Sequence, residues 1–192
     1  DIGTALRNIN GLSGIRKGGA SIDPVIRGYR FSQLNVIADN GMHVEGGCPN
    51  RMDPVVSHLE PDDIESIEIV KGPYSLKYGP GFGGTIQMNT YKPKPFETFQ
   101  AHARLRTTFN SNPMGFGQYA QITGGNKRIY FGVSGSYKDY NDYKDGNGNT
   151  VSSSFRKYNY SADLAIVPVK NHELLFSFHQ NMARDLKFPA LM

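Results

Sequence analysis

The sequence predicts an α+β domain with a small mixed sheet and short helices over residues 1–92, followed over residues 93–192 by antiparallel strands of a large transmembrane β-barrel. Within residues 64–90, two runs of alternating apolar and polar residues flank a glycine-rich turn, as in two strands joined by a tight connection. Residues 99–109 alternate apolar with polar side chains over about 11 positions, the length that a tilted strand needs to cross a bilayer. The links between the later strands are alternately longer and shorter, which is typical of outer-membrane barrels.

Composition excludes several classes of protein. The 192 residues carry 21 basic and 17 acidic side chains, a net charge of +4, with no polybasic run, so nucleic-acid binding is not indicated. No apolar run reaches the roughly 20 residues of a membrane-spanning helix, which excludes a helical membrane protein. Cys48 is the single cysteine, so no intrachain disulfide forms. No signal peptide is visible, and we expect a mature or truncated sequence.

The N-terminal region opens with a helical pattern and closes with a strand–turn–strand pattern. Apolar residues within 2–9 recur at helical spacing, and Asn10-Gly11 is expected to end that helix. Residues 64–70 alternate as a half-buried strand, Gly72-Pro73 stops that strand, and residues 85–89 alternate again. The turn between the two strands carries four closely spaced glycines, Gly79, Gly81, Gly83 and Gly84. The backbone there must turn sharply or pass close to another segment.

Residues 64–90 resemble the closing segment of the plug domain of TonB-dependent outer-membrane receptors, whose pattern is roughly IE-RIEV-x-RGP followed by YG and by GG-x-I-N. Residues 22–29 resemble the family's IRG strand, and residues 35–42 resemble its VLIDG strand and turn, with small departures at Ala38 and Asn40. His58–Ile64 looks like the short helical turn before the last plug strands, and Pro61 suits the first turn of a helix. The resemblance covers residues 1 to about 90.

This resemblance implies a gated importer in the outer membrane of a Gram-negative bacterium. The plug blocks the barrel, and TonB, with its inner-membrane energising complex, supplies the energy that rearranges it. Outer-membrane lipid surrounds the barrel, and a surface or periplasmic lipoprotein is a further candidate partner. Arg27 and Lys71 match the positions where the family places two plug cations that pair with barrel glutamates. Lys71 departs from the usual arginine and cannot make a bidentate carboxylate contact. The glycines of the plug turns are Gly72, Gly79, Gly83 and Gly84.

Five barrel strands are expected after the proline-broken linker at 91–95. Their approximate ranges are 99–109, 116–123, 129–138, 157–166 and 174–181. The first, third, fourth and fifth have one apolar and one polar face, and the second has a weaker pattern. A long polar stretch, 139–154, joins the third to the fourth. A lumen wide enough for a plug needs about 22 strands, so we expect a fragment or an incompletely traced chain. The family's TonB box is also not seen in these residues.

One plug loop, residues 41–54, has the composition of a metal site. Cys48 and Met52 are soft sulfur donors four positions apart, which favour Cu(I) over hard cations, and the nearby glycines allow the loop to fold back. The same Cys-x-x-x-Met resembles copper receptors of the OprC/NosA type, in which a His-x-Met pair from the barrel completes the site. That resemblance implies copper, Cu(I), as the transported ligand. Further candidate ligands are His43, Met42, His179 and Met182.

Three alternatives remain at the level of sequence. A receptor for a siderophore, haem or cobalamin would leave Cys48 incidental and Met52 as core packing. A soluble β-sandwich that serves as a surface-binding module also has alternating strands, but it does not explain the plug-like first half. An enzyme is not indicated, because the sequence holds no nucleophile elbow, no Walker loop and no paired zinc motif.

Overall fold

A computed structural model describes residues 2–17, 19–39, 41–44, 54–72, 76–79 and 82–188. The chain divides into two compact units. The first contains the chain up to Tyr91 together with Val151–Ser153 and the chain from Lys187. The second contains Lys92–Thr150 and Ser154–Leu186.

The first unit begins with a short helix and a small antiparallel sheet. Helix α1 spans Ile2–Leu6, and the sheet contains β1 (Leu12–Lys17), β2 (Ser21–Ile26) and β3 (Tyr29–Arg30) in that order. The helix is shorter than predicted. Beyond Leu6 the amide of Ile9 bonds to the carbonyl three residues back, at 3.1 Å, so the chain tightens into turns and leaves Ile9 exposed. Strand β1 was not anticipated.

A mixed sheet forms the other half of this unit. Its strands are β4 (Leu34–Ala38), β5 (Met42–His43), β6 (Ile64–Lys71) and β7 (Gly84–Thr90). They lie in the order β5-β4-β7-β6, with β4 parallel to β7 and the other pairs antiparallel. The predicted strands on both sides of the glycine-rich turn and the predicted mixed sheet are confirmed.

Four short 3-10 turns connect these strands, at Phe31–Gln33, Val55–His58, Pro61–Asp63 and Leu76–Tyr78. Pro61 lies in the first turn of its segment with two acidic residues beside it, as the sequence predicted.

An apolar core holds the helix and the two sheets of this unit together. Its buried members are Ile2, Leu6, Leu12, Ile26, Leu34, Val36, Val56, Ile86 and Met88. Because Leu34, Val36, Ile86 and Met88 come from the parallel pair β4 and β7, this central pair supplies much of the buried surface.

The second unit is an antiparallel sheet of long strands. These are β8 (Gln100–Ser111), β9 (Met114–Gly125), β10 (Ile129–Tyr140), β13 (Phe155–Val169) and β14 (His172–Arg184). The two-residue strands β11 (Tyr143–Lys144) and β12 (Thr150–Val151) pair within the long link after β10. The five long strands lie in the order β14-β13-β10-β9-β8, so each long strand pairs with its neighbours along the chain. All five predicted strands are present.

The long strands expose their apolar face and bury part of their polar face. The exposed side chains of this face include Leu105, Phe109, Phe116, Ile122, Ile129, Val133, Leu164, Leu174, Phe176 and Phe178. The buried polar side chains are Thr123, Ser134, Ser136, Asn159, Ser161 and Asp163. A soluble sandwich buries its apolar faces against each other, so the β-sandwich alternative is wrong.

None of the helices in the described part of the chain has the length and apolar character needed to cross a membrane.

Candidate functional site

The loop that carries the predicted copper ligands leaves and re-enters the first unit at fixed points. Before the loop, the Val44 amide donates to the Val36 carbonyl at 3.0 Å, next to the buried strand β4. After it, Pro54 is buried and the Ser57 amide donates to the Pro54 carbonyl at 2.7 Å. Cys48 and Met52 themselves lie outside the described residues, and their role stays a prediction.

Met42 and His43 are the candidate ligands at the start of that loop, and both are exposed. They form β5, where Met42 pairs with Ala38 and His43 pairs with Ile37. Adjacent residues in a strand point to opposite faces, so this strand does not direct both side chains at one ion.

The other two candidate ligands, His179 and Met182, lie on β14. His179 pairs with Ser161 and Met182 pairs with Tyr158, in a stretch of regular register. Because three positions separate them, His179 shares the polar face and Met182 shares the face of Phe176 and Phe178. The two side chains therefore point to opposite faces of β14, and their role as ligands stays a prediction.

No group of three or more His, Cys, Asp and Glu side chains suited to a metal ion occurs among the residues that the structure describes.

The two predicted plug cations, Arg27 and Lys71, both lie beside the turn at Asn10 and Gly11. The Lys71 Nζ donates to the Asn10 carbonyl at 2.5 Å, and the Arg27 amide donates to the Gly11 carbonyl at 2.9 Å. A Cβ placed on Gly11 would lie 3.7 Å from the Lys71 Nζ and 3.8 Å from the Arg27 Cγ. Both residues thus border the same turn, although they lie far apart in sequence. Their pairing with barrel glutamates stays a prediction.

The plug-turn glycines bring three segments together. The Gly72 amide donates to the Gly83 carbonyl at 3.2 Å, and the Gly83 amide donates to the Gln33 carbonyl at 2.9 Å. The Asn35 Nδ2 donates to the Gly79 carbonyl at 3.3 Å. A Cβ on Gly83 would lie only 2.3 Å from the Tyr29 Cβ, so a larger residue does not fit there without a shift.

A polar cluster that sequence reasoning did not single out lies on the second unit. Asp163 of β13 is only 5 % exposed and accepts hydrogen bonds from the Lys92 Nζ at 3.2 Å and the Ser177 Oγ at 2.5 Å. The His179 Nε2 lies 3.9 Å from the same carboxylate. The only signal in the sequence was an acidic residue in the polar run of β13, after Asn159 and Ser161.

The long link after β10 is ordered by a second carboxylate, Asp145. It accepts from the amides of Asn147 and Asn149, both at 2.9 Å, and from the Asn149 Nδ2 at 3.2 Å. The backbone and side-chain hydrogen bonds from Asn149 are the main cause of a lowered pKa for Asp145.

The chain is similar to a known domain family and to several solved structures. Residues 1–86 match the family model described as "TonB-dependent Receptor Plug Domain". Nearly the whole chain, 97 %, superposes on a solved structure described as "Copper transporter OprC", with a TM-score of 0.89 and 30 % sequence identity. Residues 1–86 are therefore a TonB-dependent receptor plug domain.

Two further similarities agree with the plug-domain match. The chain is 30 % identical over 94 residues to a "Ferric aerobactin receptor" from Klebsiella pneumoniae. It also shares the fold of the FrpB iron transporter from Neisseria meningitidis (F3-3 variant), with a TM-score of 0.77 over 95 % of this chain at 20 % identity. The chain spans 13 % of the length of the aerobactin receptor and 29 % of each of the OprC and FrpB chains.

The plug-domain match and these similarities bear on several expectations. The first unit holds a plug domain, and the strands of the second unit are part of a barrel. TonB-dependent receptors are proteins of the Gram-negative outer membrane, which confirms the predicted localisation. They are receptors and transporters rather than enzymes, in agreement with the sequence.

Proposed function

We propose that this chain forms the plug and the first barrel strands of a TonB-dependent outer-membrane receptor that imports copper ions. The plug closes the barrel, copper binds to a plug loop, and energy delivered through TonB rearranges the plug. The whole receptor's transport, its substrate and its engagement of TonB are all part of this proposal.

The observation that carries the choice of copper is the soft-donor pair in the plug loop. Cys48 and Met52 offer a thiolate and a thioether four positions apart, and soft sulfur ligands favour Cu(I). The described residues that flank the loop each form a backbone hydrogen bond, Val44 with Val36 and Ser57 with Pro54.

The similarity to a solved copper transporter supports the same substrate. The match to OprC covers 97 % of this chain at 30 % identity. The remaining ligands of a complete site would come from residues outside the described part of the chain, since His179 and Met182 point to opposite faces of β14.

A second candidate function is uptake of an iron–siderophore complex, favoured by the similarity to the ferric aerobactin receptor, which is 30 % identical over 94 residues. In that case Cys48 would be incidental. The receptor would bind a ferric siderophore, and substitution of Cys48 would not change that affinity.

Cu(I) binding to the purified full-length receptor, measured by competition with a chromophoric chelator under reducing conditions, tests the copper proposal. We expect a Kd of about 1 µM or tighter. Cys48→Ala should weaken binding by more than about 100-fold, because loss of a thiolate ligand exceeds the 10–100-fold effect of a lost outer-shell partner. Met52→Leu keeps the side-chain volume, removes the thioether and should weaken binding by about tenfold.

The matched control is Met114→Leu, which alters an exposed methionine of β9 and should leave the Cu(I) affinity unchanged. An unaltered affinity in Cys48→Ala would contradict the copper proposal and favour the siderophore alternative.

A further inference from the structure

The linker that follows the plug is attached to the barrel sheet by a buried ion pair. Asp163 lies on the polar face of β13 with 5 % of its side chain exposed, and its Oδ1 is 3.2 Å from the Lys92 Nζ. The partners are 71 residues apart in sequence. The Ser177 Oγ of the neighbouring strand β14 donates to the same oxygen at 2.5 Å.

A buried carboxylate is costly unless a cation and hydrogen bonds compensate it. Lys92 supplies the cation for Asp163, with 28 % of the lysine side chain exposed. His179 lies 3.9 Å from Asp163 but carries a charge only when it is protonated. If Lys92 moved away, the buried Asp163 carboxylate would lose its main cation. The position of Asp163 therefore favours a linker that stays bound to the barrel sheet.

The residue after Lys92 strengthens this attachment. Pro93 is buried, and its Cβ and Cδ lie 3.7 Å from the place where a Cβ on Gly132 would be. Gly132 is the register partner of Asp163 on the adjacent strand β10. The proline ring thus packs over Gly132, next to the ion pair.

The residues just before Lys92 are held equally firmly within the first unit. The Asp39 carboxylate accepts from the Thr90 amide and the Thr90 Oγ, both at 2.8 Å. The Tyr91 amide donates to the Asp63 carbonyl at 2.7 Å. The boundary between the two units falls between Tyr91 and Lys92, so strong contacts end on one side of this peptide and begin on the other.

We propose that Lys92 and Asp163 form a permanent anchor of the linker on the barrel wall, so that movement of the plug during transport pivots at the Tyr91–Lys92 peptide. Asp163 is a positioning residue, since it acts through the linker. The pivot rests on the proposed transport function, whereas the anchor itself can be measured without transport.

The anchor is tested by chymotrypsin cleavage after Phe96 in the full-length receptor in detergent, followed by mass spectrometry. Asp163→Asn removes the charge and keeps the shape. It should speed this cleavage by about tenfold, because a hydrogen bond between charged groups contributes about one order of magnitude to an equilibrium constant. Lys92→Met should do the same, and Lys92→Arg should stay slow because it retains the charge.

The matched control is Asp185→Asn, which removes another ion-paired aspartate, the exposed partner of Arg156, and should leave cleavage after Phe96 unchanged. TonB-dependent copper uptake by cells is the second readout. It should fall severalfold in Asp163→Asn and Lys92→Met and persist in Lys92→Arg, while copper binding without TonB is unchanged in all three.

Cleavage of Asp163→Asn at the wild-type rate would overturn the anchor. Faster cleavage with undiminished uptake would overturn the pivot. If wild-type uptake is equal in a strain that lacks TonB, the proposed transport function fails, and the cleavage rates still decide whether the anchor exists.

Discussion

At the scale of single residues, backbone conformation sets what the plug turn tolerates. Gly84 opens β7 with a φ of 133°, and a Cβ there would lie 2.4 Å from the Val70 carbonyl oxygen. Gly79 has a φ of 89°, but no described atom lies within 4 Å of its would-be Cβ. A side chain at Gly84 would therefore suffer both backbone strain and a steric clash, whereas a side chain at Gly79 would suffer backbone strain alone.

Gly84→Ala should destabilise the plug by about 2–4 kcal/mol, because it combines backbone strain with a backbone clash. Gly79→Ala should cost about 1 kcal/mol, from the left-handed conformation alone. Amide exchange of the plug in the full-length receptor, followed against urea concentration, measures both values. Equal losses in the two variants would contradict the role assigned to the Val70 contact.

Side-chain faces were predictable from sequence, whereas long-range pairs were not. The alternation of Tyr160 and Leu164 with Ser161 and Asp163 predicted two faces of β13, and the structure exposes the first pair and buries the second. Alternation is a local property of a strand, so a single sequence records it. The Lys92–Asp163 pair depends on which segment crosses that face, and nothing local to either residue specifies it.

At the scale of elements, the exposed apolar face of the long strands has an energetic consequence. Val133 of β10 lies in the middle of the sheet with 50 % of its surface exposed, and Val169 lies at the end of β13 with 60 % exposed. In water both positions would accept arginine at little cost. In a bilayer the cost depends on depth.

Val133→Arg should lower the stability of the full-length receptor in lipid vesicles by about 2–4 kcal/mol, the cost of arginine near the bilayer midplane. Val169→Arg should cost about 0–1 kcal/mol, as expected near the interface. Urea unfolding from vesicles gives the comparison. Negligible losses for both variants would mean that this face does not contact lipid.

The link between β10 and β13 should respond to acid through Asp145. Its folded pKa is lowered by the hydrogen bonds from Asn149, below the ordinary value of 3.8. A lowered folded pKa stabilises the turn above the ordinary value, and this contribution is lost as the pH falls through the folded pKa. The amides of Asn147 and Asn149, followed by NMR in detergent, should therefore shift only below about pH 4.

Asp145→Asn is the matched variant for this titration, because it retains an oxygen acceptor and removes the charge. It should abolish the acid-dependent shift of both amides. An unchanged titration in Asp145→Asn would assign the shift to another group.

Sequence patterns located the strands better than the short elements. The strand pattern of 64–70 and the long barrel strands were predicted because alternation continues over many residues. Strand β1 was missed, since Gly14 and the basic residues Arg16 and Lys17 interrupt any apolar alternation. The helical pattern that ends at Ile9 continues three residues past the helix end at Leu6, because apolar spacing does not record where the hydrogen bonds tighten.

At the scale of the whole molecule, the chain contains a plug domain and the first strands of a barrel. The plug match covers residues 1–86, and the five long strands cover the part of the barrel that the chain spans. This portion is 29 % of the OprC chain on which it superposes. Under the proposed function, the candidate copper loop of the plug binds the ion before the plug rearranges.

The most direct test of TonB-dependent copper import is uptake of radioactive copper by cells that produce the full-length receptor, in matched strains with and without TonB. The account predicts uptake that needs TonB and that falls to the background level in Cys48→Ala, with Met114→Leu unaffected. Uptake that is the same in the wild-type receptor and Cys48→Ala, or the same with and without TonB, would contradict it.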